Sequence, residues 1–140
     1  MAASTKIRVT PKVMGRLRMV SQGLLGGFGS VDECVSRMGA MQAQDLASAF
    51  WAVGQRVAGA GLSDVLESLE NGTVVRSWPM RGTLHLVPPQ DLRWILAITT
   101  ERSMRSAATR HRELDIGESD IVVCRDLALE RVAGRSRRHT

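Results

Sequence analysis

Apolar positions recur with a helical period through the first half of the chain, then switch to a strand period, then return to a helical one. Thr10-Pro11 opens the first helix, with Thr at the N-cap and Pro at the first helical position; Val13, Leu17, Val20 and Leu24 follow as one apolar stripe. Gly26, Gly27 and Gly29 end it. Ser30-Val31-Asp32-Glu33 is a capping box, whose hydroxyl and carboxylate can satisfy orphan amides reciprocally. The helix behind it offers Val31, Cys34, Val35 and Met38 to a core and stops near Gly39. After a short link, Ala40 to Gln44, Asp45 is a good N-cap for a helix with Leu46, Ala49, Phe50 and Val53 on one face. Gly59-Ala60-Gly61 breaks the pattern, and Ser63 is expected to cap a third helix with Leu62, Val65, Leu66 and Leu69 inward, ended by Asn71-Gly72.

The period then changes. Thr73 to Trp78 is rich in β-formers, Pro79-Met80-Arg81-Gly82 is turn chemistry, and Thr83 to Val87 is a second strand. Leu84 and Leu86 share the core face, leaving Thr83 and His85 on the other. Pro88-Pro89 starts another helix, with Leu92, Ile95 and Leu96 inward. Glu101 to Arg112 reads as a polar, Arg-rich helix, Asp115 to Gly117 as a loop, and Glu118 to Ala133 as a further amphipathic helix. Gly134 to Thr140 has no apolar partner and reads as a disordered tail.

The expected fold class is therefore α+β, mostly α. Three short helices before a β-hairpin is the order of a winged helix-turn-helix, a three-helix core plus a β-hairpin wing, here with additional helices. Many small α+β domains share that order. The expected division is a helical extension over 1–28, the winged-helix domain over 29–100, and connector helices with the start of a second unit over 101–140.

Composition narrows the class. Apolar residues make up 44% of 140, enough for a real core, and no apolar run approaches the length of a membrane span. The start, MAASTKIRVT, lacks the apolar stretch of a secretory signal, so a cytoplasmic, nucleoid-associated location is expected. Net charge is +5, and residues 73–140 carry twelve Lys or Arg against eight acids. Nearly all the cations are Arg, which reads phosphates and base edges as a fork, although GC-rich coding also raises Arg over Lys. Cys34 and Cys124 stand ninety positions apart with no His or Cys at ligand spacing, so neither a metal nor a cofactor is expected; Cys34 reads as a small buried hydrophobe. No signal is read from His111, His139 or the tip residue Met80, which is expected to be exposed.

Two motifs carry candidate chemistry. One is Met41-Gln42-Ala43-Gln44-Asp45; the other, about thirty residues later, runs Arg76-Ser77-Trp78-Pro79-Met80-Arg81-Gly82-Thr83-Leu84-His85-Leu86-Val87. Together they resemble the winged-helix proteins related to AlkZ and YcaQ, which remove alkylated purines, including crosslinked ones, from DNA. That pattern is Gln-apolar-Gln, or Gln-apolar-Asp, early in the chain and a tryptophan-containing hairpin ending in Arg-Gly-Thr-x-His, and the resemblance covers roughly residues 10–100.

The resemblance implies a monofunctional DNA glycosylase acting on double-stranded DNA, with Gln42 and Gln44 catalytic. In an extended link, positions i and i+2 point the same way, so the two amides face together while Ala43 turns inward. Such a pair can orient a water below a sugar carbon, yet a neutral amide is no general base. An N7- or N3-alkylated purine already carries positive charge and leaves readily, so positioning water and stabilising an oxocarbenium-like sugar suffices. Paired glutamines before an N-cap can equally satisfy backbone groups at a helix junction. Asp45 is expected as that N-cap, with a site role as the alternative. Arg76, Arg81, Thr83 and His85 are the candidate DNA contacts, against a solvated hairpin with ordinary polar residues. Trp78 is expected to pack in the core rather than stack on a base, and Trp51 and Trp94 to make core or interdomain contacts.

Relatives of that kind are longer, typically three successive winged-helix units around a concave DNA-binding surface, and this chain stops where the second would be starting. A fragment is therefore expected, with self-association through the apolar face meant for the other units. A DNA-binding module without catalysis, such as a regulator, would carry the same fold and field.

Overall fold

The computed structural model describes residues 10–136, with nine elements among them. Two compact units divide them, Met1–Thr100 and Glu101–Thr140. In the first, helix α1 (Pro11–Ser21) precedes α2 (Val31–Met38), strand β1 (Met41–Gln42), α3 (Leu46–Gly54), α4 (Leu62–Glu70), β2 (Val75–Met80) and β3 (Thr83–Val87). Helix α5 (Pro89–Glu113) follows, and α6 (Glu118–Ser136) lies in the second unit. The protein is thus mostly helical α+β, with one three-stranded antiparallel sheet in the order β1-β3-β2 among the described residues. No helix among them is long and apolar enough to cross a membrane.

Local chemistry explains the helix starts. Thr10 accepts from the Val13 amide, Ser30 from that of Glu33, and Asp45 from that of Ser48 at 2.7 Å. The Glu33 carboxylate, however, reaches back to the Gly29 amide, one residue before the cap. Helix α4 starts differently from expectation: Gly61 is its N-cap, and Asp64 accepts from the Gly61 amide, so Ser63 lies inside the first turn. The buried face is also narrower than expected. Val65 is fully buried and Leu69 partly, while Leu62 and Leu66 point outward.

The core is built from short side chains. Val31, Cys34 and Val35 of α2 meet Ala49 and Val53 of α3, Val65 of α4, and Met41, Ala43 and Leu86 of the sheet. Burial pushes the Cys34 thiol above its ordinary range, which keeps it a neutral hydrophobe there. No tryptophan joins that cluster. Trp51, Trp78 and Trp94 are all more than half exposed, so none is a core residue.

The hairpin is tighter than its composition suggests. β2 runs on through Pro79 to Met80, and only Arg81 and Gly82 form the turn, at φ 58° and 67°. Positive φ at both positions is the two-residue turn whose twist matches paired strands. Pro79 is tolerated because β2 is an edge strand and its pairing is irregular between Ser77 and Met80. Met80 is half-buried rather than exposed.

Two helical segments merge. Nothing between Pro89 and Glu113 breaks the backbone ladder, so the apolar start and the Arg-rich continuation form one helix of 25 residues. Ile95 is buried, with Leu92 and Leu96 half-buried beside it. Helix α6 extends through Ser136, so Gly134 to Ser136 are helical rather than a tail; the remainder of that expected tail, with His139, lies outside the described residues. The stripe of α1 finds no cover among the described residues: Val13, Leu17 and Val20 are about half exposed.

Candidate functional site

The link between α2 and α3 is not free chain. Met41 pairs with Leu86 and Gln42 with His85, and the Ala43 amide continues the ladder by donating to the Leu84 carbonyl at 2.7 Å. Opposite residues of an antiparallel pair share a face, and successive ones alternate. Met41, Ala43 and Leu86 therefore face the core, and all three are buried. Gln42 and Gln44 fall on the other face, both exposed, with Ala43 between them at 0% exposure.

The register adds neighbours. His85 stands opposite Gln42 on one side and Ser77 on the other, giving a row Gln42–His85–Ser77 across the three strands. Thr83 lies two residues along from His85 on the same face. Alternation places Thr83 and His85 there as expected, but His85 is 7% exposed, because this face is itself partly covered. Val87 is fully buried, and the Thr99 hydroxyl of α5 donates to the Pro79 carbonyl. His85 Nδ1 lies 2.9 Å from the Thr83 carbonyl oxygen. An oxygen acceptor there requires a proton on Nδ1, so the neutral ring presents Nε2 as an acceptor.

The ladder ends in side chains. Ala43 and Leu84 would normally exchange two backbone bonds, yet only one forms between them. The Leu84 amide donates instead to Gln44 Oε1 at 3.0 Å. The Ala43 carbonyl accepts from Arg76 Nε and Nη2 at 3.0 and 2.8 Å, and Nη2 also reaches the Gln44 carbonyl at 3.2 Å. Arg76 thus ties the link to β2, the strand on the far side of β3. The Leu84 donor also settles the orientation of the Gln44 amide: its oxygen faces the strand and its NH2 is the outward end. Gln42 has no hydrogen-bond partner among the described residues, so both ends of its amide are open.

Asp45 caps α3, and the Ser48 hydrogen bonds hold its carboxyl below the usual range, with Arg76 assisting. Arg81 is exposed at the hairpin tip. The structure therefore brings Gln42, Gln44, Thr83 and His85 to one sheet face, sets Arg81 at the tip, and engages Arg76 with the backbone of the link. Ser77 was not anticipated. Its place on that face follows from pairing register, which hydrophobic periodicity alone does not reveal.

Two exposed amides, one of known polarity, beside an imidazole acceptor can hold and orient a water molecule without removing its proton. Among the described residues no three His, Cys, Asp or Glu side chains gather as a metal site would require. Neither the curated proteins nor the solved structures contain a match to this chain. The family model described as DNA glycosylase AlkZ-like matches residues 35–140, which include both glutamines and the whole hairpin, and the chain belongs to that family.

Proposed function

We propose that this protein acts in DNA repair by hydrolysing the N-glycosidic bond of alkylated or crosslinked purines in duplex DNA, with Gln42 and Gln44 positioning the attacking water. One observation carries the reading: the two amides project from the same sheet face, while Ala43 between them is locked into the core. The NH2 of Gln44 donates to the water or to the sugar oxygens, and Gln42 orients the lone pair towards the anomeric carbon. The alkylated purine is cationic while attached and departs neutral as the glycosidic bond breaks, leaving the charge on the sugar; water then bonds to the anomeric carbon and its spare proton passes to solvent. Neither step needs a strong acid, so weak polar groups placed well are sufficient.

The element order α2-β1-α3-α4-β2-β3 supports a winged helix for the first unit. Charge then argues for the sheet side as the DNA side. Helix α4, the third of the helical core, carries Asp64, Glu67 and Glu70 and no Lys or Arg, which repels phosphates. The sheet face offers the exposed Gln42 and Gln44 amides and the half-buried Ser77 and Thr83 hydroxyls, with His85 buried behind them, and the hairpin tip offers Arg81.

The test is release of free 7-methylguanine from methylated duplex DNA. The chain is expected to release it, and Gln42→Ala and Gln44→Ala to lower the rate by about 100-fold, the scale of losing one preorganised polar contact. Release unchanged in the double variant overturns the assignment. A second reading, a DNA-binding module without catalysis, draws on the engagement of Gln44 and Arg76 with the backbone. Salt-sensitive duplex binding with no base release would favour it.

A further inference from the structure

A groove of about 340 Å³ lies between the end of α2 and the first half of α5, lined chiefly by Met38, Ala40, Met80, Trp94, Ile95 and Ile98. One lining residue belongs to the glutamine face: Met80 pairs with Thr83, which shares the face of His85. Ala40 leads directly into β1 and so ties the groove to the strand that carries Gln42. We infer that this groove is the subsite for the alkylated purine base itself, with Trp94 as its stacking platform; the inference rests on the glycosylase reading above.

The size is at the small end for ligand sites, suited to one flat ring system. The lining is apolar and polarisable, with two thioethers that adapt to an added alkyl group. Trp94 is the feature that selects charge. It is 54% exposed, so ring surface is open, yet its indole N–H donates to the Asp91 carboxylate at 2.9 Å. That bond holds the ring in place and sets a negative charge beside it. A neutral purine gains stacking alone. An N-alkylated, cationic purine gains stacking, cation–π attraction and the field of Asp91. Preference for damage would then arise in binding the base as well as in its ease of departure.

The experiment follows the indole N–H resonance of Trp94 by NMR during titration with 7-methylguanosine and with guanosine, below pH 7, where the methylated base is cationic. Trp94→Phe assigns the resonance. Saturable shifts at Trp94 but not at Trp51 or Trp78 are expected, with guanosine binding at least fivefold weaker. Asp91→Asn should reduce that preference to less than twofold. No saturable shift, or equal binding of the two nucleosides, overturns the proposal. So does a shift that grows with protein concentration alone, which would identify a second copy of this chain as the occupant. Failure of the glycosylase reading is separable: it appears as absent 7-methylguanine release whatever the nucleosides do at Trp94.

Discussion

At Gln44 one side chain has two separable jobs. Its oxygen completes the strand ladder at Leu84, and its NH2 faces outward. Gln44→Ala should therefore slow base release by about 100-fold and also cost about 1 kcal/mol of stability, the ordinary net value of one hydrogen bond. Gln44→Glu keeps an acceptor for the Leu84 amide but sets a carboxylate where the NH2 stood, so it should make release rise with pH as that carboxylate ionises while holding stability near wild type in urea unfolding. Gln42→Ala should change stability by less than about 0.5 kcal/mol, since that amide has no partner to lose among the described residues. Asp45 gives the pH dependence. Its folded pKa is lowered, so its contribution is present above the unfolded value near 3.8 and disappears as pH falls through the folded value. Asp45→Asn, which can still accept from Ser48, should flatten that part of the acid-stability profile, measured by thermal unfolding across pH.

Among the elements, the hairpin joins strain to exposure. Arg81 adopts a left-handed backbone that costs a side-chain-bearing residue about 1 kcal/mol, where Asn would sit easily beside Gly82. Arg81→Asn should raise stability by about 0.5 kcal/mol or more, yet weaken DNA binding and lower the salt slope by about 0.9 if Arg81 meets a phosphate. Stability rising with an unchanged slope would remove Arg81 from the interface. Helix starts at Thr10, Ser30 and Asp45 were legible because a cap is a local event, written within four residues. The start of α4 was not, because Asp64 reaching back to Gly61 competes with Ser63 and only geometry decides. The glutamine face was legible from Gln-Ala-Gln, since alternation is also local. What stayed hidden was cross-strand: Arg76 on Ala43, Gln44 on Leu84 and the burial of His85 depend on partners more than thirty residues away or on another element.

For the whole molecule, apolar surface is the outstanding quantity. Val13, Leu17 and Val20 on α1, and Leu127, Leu129 and Val132 on α6, are each about half exposed or more. Surfaces of this kind drive association. Sedimentation velocity should show concentration-dependent self-association of the chain, and Leu17→Glu with Val20→Glu should reduce it without altering helix content. A monomer at all concentrations would show these faces to be too weak to hold a partner. The net charge of +5 does not prevent this, because the apolar stripe of α1 is a local feature and the field is not.

Ala43 ties the future of the motif to the interior. The position between the two glutamines is a fully buried core position, sharing a cluster with Cys34 and Ala49. Size decides what that position tolerates, whereas its two neighbours face solvent. A lineage that enlarges the middle residue must shrink another in the same cluster, or the strand moves and both amides lose their aim. Directed evolution that randomises only the three-residue motif should therefore recover small residues at the centre, and larger ones only when Cys34 or Ala49 is varied alongside.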